Sequence, residues 1–437
     1  MLGGLLHRLP ASFLRNIRWQ YAANLATGLL GGAYVLLLGN ELGLAGFGAY
    51  SLFTAIATLV FNAFDLRVQE AVVRFVASGR SSGTERDGST AAVLFVLDAV
   101  ARLAAFTLVA LLAQPVSNLF FDGAAVGPEV TAVAALLLLS KTANAPALGL
   151  LRICDRFDLN ARLQVADWSG RLGFTAVAAW QGSLEILEVV AIAAAIGGVV
   201  NVVTIAVAIR TWQRASGERI ALHRDSLGRL PEMGRFVLAS QGISICDSVV
   251  RELDTTLVAW YLGIESTAIY RMSKNFVQIL WRAADPVFLV VMPEIRRFLV
   301  DGRRAELMEF LRAVSVVLLI GAASVVLVSA LIMPWVVDAF LEPRFAPAAS
   351  LFPWMAWWIV ICLPLIWTHA LAAASGVPQL QLLANLIGNA IAALLLVILT
   401  PLWGVWGAAL GWSAGLTATF VVSFALLRRR RLISAAA

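Results

Sequence analysis

The chain has 437 residues, of which 60% are apolar and only 14% are charged, and its mean hydropathy is +0.84. An ordinary soluble domain is about half apolar and about a quarter charged. A water-soluble body of this size could not bury so much apolar surface. The composition therefore excludes a cytosolic enzyme and a disordered chain, and it points to a polytopic membrane protein.

The net charge of +6 comes from 33 basic and 27 acidic residues. All the basic residues except Lys141 and Lys274 are Arg, which stays cationic even when buried. Cys154, Cys246 and Cys362 lie far apart, each in or beside an apolar stretch, so packing is expected of them rather than a metal or disulfide framework. The histidines His7, His223 and His369 form no ligand-spaced set. His369 alone sits inside an apolar segment, where it reads as a packing residue rather than a proton relay.

A bilayer span needs about 20 apolar residues. Twelve windows qualify: 19–40, 47–66, 91–113, 130–150, 166–182, 187–209, 236–262, 267–293, 312–335, 350–374, 381–400 and 404–427. The fifth is the weakest, being short and carrying two charges. The first 18 residues hold three Arg and Pro10 with no small-residue cleavage site, so the first span is expected to be retained. With both termini inside, the cytoplasmic segments hold 24 basic residues and the opposite loops hold one, Arg344. That imbalance sets the orientation and accounts for the basic charge without a nucleic-acid partner. The Arg-rich connector 210–235 divides the spans six and six, giving expected lobes 1–215 and 216–437. The expected fold is all-α: a polytopic membrane protein of twelve transmembrane helices in two six-helix lobes.

The halves carry a repeat. At an offset of 220, Leu42, Gly43 and Tyr50 meet Leu262, Gly263 and Tyr270, and Asp65 meets Asp285 without a gap. Six spans per half leave both halves in one orientation, so the repeat is parallel, about a pseudo-two-fold axis along the membrane normal.

Eight cations remain inside or at the edges of spans. A charge at the bilayer centre costs about 3 kcal/mol or more, so these residues should face a bundle interior or a wet cavity. In the eighth span, Arg271, Lys274, Gln278, Arg282 and Asp285 share one helical face. The seventh carries Asp247, Arg251 and Asp254 on one face, with Glu252 beside it. The second ends with Arg67, Glu70 and Arg74 near Asp65, and the first holds Asn24 with Arg15 and Arg18 at its entrance. Asp98 with Arg102, Asp167 with Arg171 and Asp247 with Arg251 are i,i+4 pairs that can neutralise each other where helices pack. For the first two pairs and Lys141 that structural role is the favoured reading. For Arg251, Arg271, Lys274 and Arg282 cavity lining is favoured, because span 8 has more cation than local carboxylate. Pro286, Pro293, Pro353 and Pro364 read as static kinks before hinges.

These segments carry a resemblance. LGNELGLAGFGAYSLFTAIATLVFNAFDLRVQEAVVRF resembles the first-to-second-span signature of bacterial polysaccharide flippases, and RELDTTLVAWYLGIESTAIYRMSKNFVQIL resembles their seventh-to-eighth-span segment. ASGVPQLQLLANLIGNAIAALLLVILTPLWGVWGAALG is similar to their C-terminal pattern. The resemblance covers nearly the whole chain and extends to the superfamily of multidrug, oligosaccharidyl-lipid and polysaccharide exporters. It implies two lobes that alternate between inward- and outward-open forms, with spans 1, 2, 7 and 8 lining the cavity. One departure is Asp65-Leu66-Arg67-Val68, where Arg replaces the usual Gly of the motif. Another is the lack of Asp or Glu in 19–40, which argues against the drug/cation branch. Lipid II flippases typically carry additional helices beyond twelve, and none is expected in this chain.

The resemblance thus implies a flippase that moves an undecaprenyl-pyrophosphate-linked oligosaccharide to the periplasmic leaflet of a bacterial inner membrane. The alternative is a drug or metabolite cation antiporter of the same superfamily. The residues expected to bind cargo are Arg251, Lys274, Arg282, Arg271, Arg67 and Arg18. Those expected to couple or gate are Asp65, Asp247, Asp254, Asp285 and Asn24. No catalytic residue, cofactor or metal is expected. The expected partners are the lipid-linked oligosaccharide with its anionic pyrophosphate head, membrane lipids, a polysaccharide polymerase and glycosyltransferases. A membrane enzyme would need a sizeable outside loop, and the longest here are about 16 residues.

Overall fold

The computed structural model describes residues 11–82, 87–121, 128–182, 184–222, 230–282 and 285–430. These form α1 (Ala11–Ala63), α2 (Val68–Ser82), α3 (Asp87–Phe120), α4 (Pro128–Leu139), α5 (Asn144–Ile153), α6 (Phe157–Gln181) and α7 (Ile186–Ser216). Next come α8 (Leu230–Arg282), α9 (Asp285–Val300), α10 (Arg304–Phe340), α11 (Ala346–Cys362), α12 (Trp367–Ala374) and α13 (Pro378–Arg429). Among the described residues there is no strand. In lipid, a helix satisfies every backbone group within its own segment, so an apolar chain of this kind is all helix.

Seven helical stretches among the described residues are long and apolar enough to cross a membrane. The protein is a multi-pass membrane protein. Two charged helices, α6 and α8, fall outside that set because charge lowers their hydropathy. Large apolar side chains on α10, among them Val317, Ile320, Leu327 and Leu331, are exposed. Such a surface is stable against lipid and not against water.

Three helices are far longer than one crossing. α1 and α8 have 53 residues each and α13 has 52. Each would run to roughly 80 Å, against a hydrocarbon core of about 30 Å. Each is interrupted at one glycine: Gly43 (φ 63°, ψ −175°), Gly263 (φ 81°, ψ −179°) and Gly404 (φ 62°, ψ −142°). This backbone region is open to glycine alone, so the chain bends there with almost no loop. Gly43 and Gly263 are the residues that the 220-residue offset aligns, and they adopt the same conformation. In α13, Gly407, Gly411 and Gly415 lie four residues apart. A Cβ on them would fall 2.0 Å from the Leu399 carbonyl oxygen, 3.0 Å from the Leu396 nitrogen and 2.2 Å from the Ala392 Cβ. Small residues let the two arms of the hairpin meet at backbone distance.

Other expected spans are broken. The second stops at Ala63 and resumes at Val68, with Arg67 at φ 45°. The fourth stops at Leu139 and resumes at Asn144, with Ala143 at φ 62°. The tenth is divided by a short 3-10 turn, Leu363–Leu365, around Pro364.

By contact the chain forms two compact units. The first comprises Met1–Tyr34 and Ile56–Ser248. Its core gathers Val72 and Phe75 of α2, Leu94 of α3, Leu150 of α5, Trp212 of α7 and Val237 of α8. Gly149 makes this possible, because a Cβ there would sit 2.8 Å from the Val72 Cβ. The second unit comprises Val35–Ala55 and Val249–Ala437. Its core joins Ile295 of α9, Leu307 and Leu311 of α10, Trp367 and Leu371 of α12 and Leu427 of α13. Phe47 also packs there against Phe345, with ring centroids 6.0 Å apart.

Candidate functional site

The cationic stripe of α8 lies in the second unit. Residues 249–262 and 264–282 run as two helical arms joined at Gly263, so carboxylates of one arm can meet cations of the other. Lys274 is fully buried, and its Nζ lies 2.8 Å from both carboxylate oxygens of Asp254. The Tyr270 hydroxyl donates to Asp254 Oδ2 at 2.6 Å, and the Thr255 amide donates to Oδ1 at 2.6 Å. The Lys274 ammonium also lies 5.6 Å from the centre of the Trp412 ring. Three residues before Lys274, Arg271 Nη1 donates to Glu252 Oε2 at 2.8 Å. In a low dielectric, a carboxylate with this many donors and a cation in contact forms a closed, neutral network.

This geometry differs from the expectation that span 8 carries surplus cation. Glu252 and Asp254 of the preceding arm match Arg271 and Lys274 one for one. The stripe as a row on one helix was legible, and its partners across the glycine bend were not. Arg282, two turns beyond Lys274, is exposed. Arg251, Asp247 and Asp285 are helical, and their side chains lie outside the described residues.

The remaining candidates belong to the first unit. Arg18 is exposed on α1, and Asn24 accepts a hydrogen bond from Gln20 at 3.1 Å. Arg67 is partly exposed, 4.0 Å from Glu70. Asp65 accepts a hydrogen bond from Arg102 Nη2 at 3.1 Å. Arg102 was expected to pair with Asp98, and Asp98 Oδ1 is 3.7 Å away. Sequence reasoning missed the wider role of Arg102. Its Nη1 donates to the Phe61 carbonyl at 3.3 Å, and its guanidinium covers the Phe61 ring at 3.8 Å. Gln241 Nε2 donates to the carbonyls of Asn62 and Ala63 at 3.0 and 2.7 Å. Arg102 and Gln241 therefore cap the carbonyls that the break in span 2 sets free.

Elsewhere, His369 stacks on Phe420 with centroids 4.5 Å apart. Among the described residues, no group of acidic, histidine or cysteine side chains could hold a metal ion.

Residues 13–299 match the family model described as "Polysaccharide biosynthesis protein". The chain belongs to this family. No curated protein matches the sequence. Solved structures share the fold. The lipid II flippase MurJ in an inward closed conformation aligns with a TM-score of 0.72 at 13% identity, covering 93% of this chain and 86% of that one. An inward-facing multidrug resistance MATE family transporter of the MOP superfamily gives 0.70 at 14%, covering 94% and 96%. A mutant of the Vibrio cholerae MATE transporter VcmN gives 0.66 at 14%, covering 97% and 100%. The protein thus shares its fold with these solved structures and belongs to the polysaccharide biosynthesis protein family.

Proposed function

We propose that the protein is a flippase that carries an undecaprenyl-pyrophosphate-linked oligosaccharide from the cytoplasmic to the periplasmic leaflet of a bacterial inner membrane. The reading rests on one conjunction: a polysaccharide biosynthesis family on a fold whose solved examples are transporters and a flippase. The halves 1–215 and 216–437 act as the lobes of an alternating-access cycle, with both termini cytoplasmic. Translocation breaks no covalent bond, so the chain needs no nucleophile and no cofactor.

Arg282, Arg251, Arg67 and Arg18 are the proposed cargo cations. Arg282, Arg67 and Arg18 keep exposed surface, and a guanidinium binds phosphate oxygens in a two-pronged geometry. Arg271 and Lys274 are held by Glu252 and Asp254. They serve the cargo only in a state where those pairs open, with Asp254 as the coupling group. Outward movement of anionic charge follows an inside-negative potential, worth roughly 2.3 kcal/mol per charge per 100 mV.

Deletion of the gene, followed by analysis of surface glycan and lipid-linked intermediates, tests the reading. The expected result is loss of surface glycan with accumulation of the lipid-linked oligosaccharide. Unchanged glycan together with proton-dependent efflux of lipophilic cations would establish the antiporter instead. Arg282→Ala should reduce export at least about tenfold at normal membrane abundance, the scale of one lost charge-assisted contact.

A further inference from the structure

The first unit holds a second charged cluster, at the break in span 4. The chain leaves the helix at Leu139 and re-enters at Asn144, with Ala143 in the left-handed conformation. The break is held by dedicated side chains. Asp98 Oδ2 accepts the Ala143 N–H at 2.8 Å. Asn201 Nδ2 donates to the Thr142 carbonyl at 2.7 Å, and Asn144 Nδ2 donates to Asn201 Oδ1 at 2.8 Å. Broken helices inside a membrane persist where such groups re-satisfy the backbone, and they commonly line cavities.

Charge within the trio of Lys141, Arg171 and Asp167 does not balance. Lys141 Nζ lies 3.4 Å from Asp167 Oδ2, and Arg171 Nε donates to Asp167 Oδ1 at 3.0 Å. Two cations share one carboxylate. Asp98 takes the Ala143 amide and stands 3.7 Å from Arg102, which Asp65 holds more closely at 3.1 Å, so these three form a separate group. The network of the second unit pairs Arg271 and Lys274 each with its own carboxylate; among the described residues the trio of Lys141, Arg171 and Asp167 differs in placing two cations on one carboxylate. The Lys141 side chain is 35% exposed and the Arg171 side chain 16%. Both cations are thus largely enclosed by protein while part of the Lys141 side chain stays open. A Cβ at Gly197 would sit 2.9 Å from Arg171 Nη2 and 3.2 Å from Ser140 Oγ, so glycine at that position leaves room for the guanidinium.

We propose that Lys141 and Arg171 form an oxyanion subsite for the head of the transported glycolipid. The inference rests on the flippase reading and names the residues that recognise the cargo in the first unit. A net positive, half-desolvated cluster gains most from an anion that brings its own oxygens, and an ammonium beside a guanidinium suits a phosphate or a sugar carboxylate. Asp167 orients the two cations and keeps the site at one net charge, so the cargo can leave again.

The test uses the full-length protein purified in detergent, with calorimetric binding of farnesyl pyrophosphate, of glucuronate and of uncharged farnesol. Lys141→Gln is expected to weaken farnesyl pyrophosphate binding about tenfold, Lys141→Arg to restore it within about threefold, and farnesol to show no dependence on either. Arg171→Lys, which keeps the charge, should lose less than Lys141→Gln. Weakening confined to glucuronate assigns the same subsite to an acidic sugar. Wild-type affinity of Lys141→Gln for both anions overturns the subsite. If wild-type protein binds neither anion and gene deletion leaves surface glycan intact, the flippase reading falls with it. If deletion removes the glycan while Lys141→Gln binds normally, only the subsite falls.

Discussion

Arg102 shows how a buried cation can serve the backbone as well as a carboxylate. Its side chain is almost wholly buried, touching Asp65, Asp98, the Phe61 carbonyl and the Phe61 ring. Arg102→Met should therefore cost about 3–5 kcal/mol, the scale for stripping one partner from a buried ion pair. A fall in the thermal unfolding midpoint in detergent checks this, and adding Asp98→Asn should recover part of the loss. Arg67 offers the opposite case. Its φ of 45° is costly for a residue with a Cβ. Arg67→Gly should raise the midpoint, by about 1 kcal/mol of relieved strain. The Asp98–Arg102 spacing was visible in the sequence because both lie on one helix face. Asp65 and Gln241 were not visible as its companions, since the fold brings them from 37 residues before Arg102 and from 139 residues after it. Gln241 carries no charge to mark it. Likewise the α8 cations were legible as a row, and their neutralisation by Glu252 and Asp254 became clear only across the bend at Gly263.

Among the elements, the glycine bends are where the sequence spoke most directly. The match of Gly43 with Gly263 foretold two equivalent joints, and both take a conformation closed to other residues. Gly263→Ala should distort that joint and lower stability by about 1–3 kcal/mol. Gly48→Ala should cost a similar amount for a different reason: its Cβ would lie 2.2 Å from the Ile264 carbonyl oxygen, and backbone must move to admit it. Gly234→Ala is the control, with open space at its Cβ and helical backbone; it should be neutral or gain up to about 1 kcal/mol. Thermal unfolding of the three variants side by side separates these effects. The interruption of span 4 was masked by the apolar runs on either side of the short polar stretch Ser140-Lys141-Thr142-Ala143-Asn144. Lys141 and Pro146 were the signals: proline at the third position of a helix has no amide to give and fits only near a helix start. In span 10, Pro364 does mark the break, while Pro353 sits within an unbroken helix.

For the whole molecule, composition alone settled the environment, and the apolar flank of α10 carries that conclusion into three dimensions. Cargo recognition was less legible, because charge balance depends on which helices become neighbours. If transport moves net negative charge outward, collapsing the membrane potential with valinomycin and potassium should slow export in cells at constant pH, and a proton ionophore should add little further effect; the reverse order of potency would assign the drive to protons. Val35–Ala55 belong to the same compact unit as residues that begin at Val249. Ribosomes add about 5–20 residues per second, so this early segment waits roughly 10–40 s for its companions to be synthesised. During that interval the nascent protein holds an unfinished surface. A cysteine at Ala49, only 1% exposed in the finished fold, should stay open to maleimide in stalled chains until translation has passed α8, and then close.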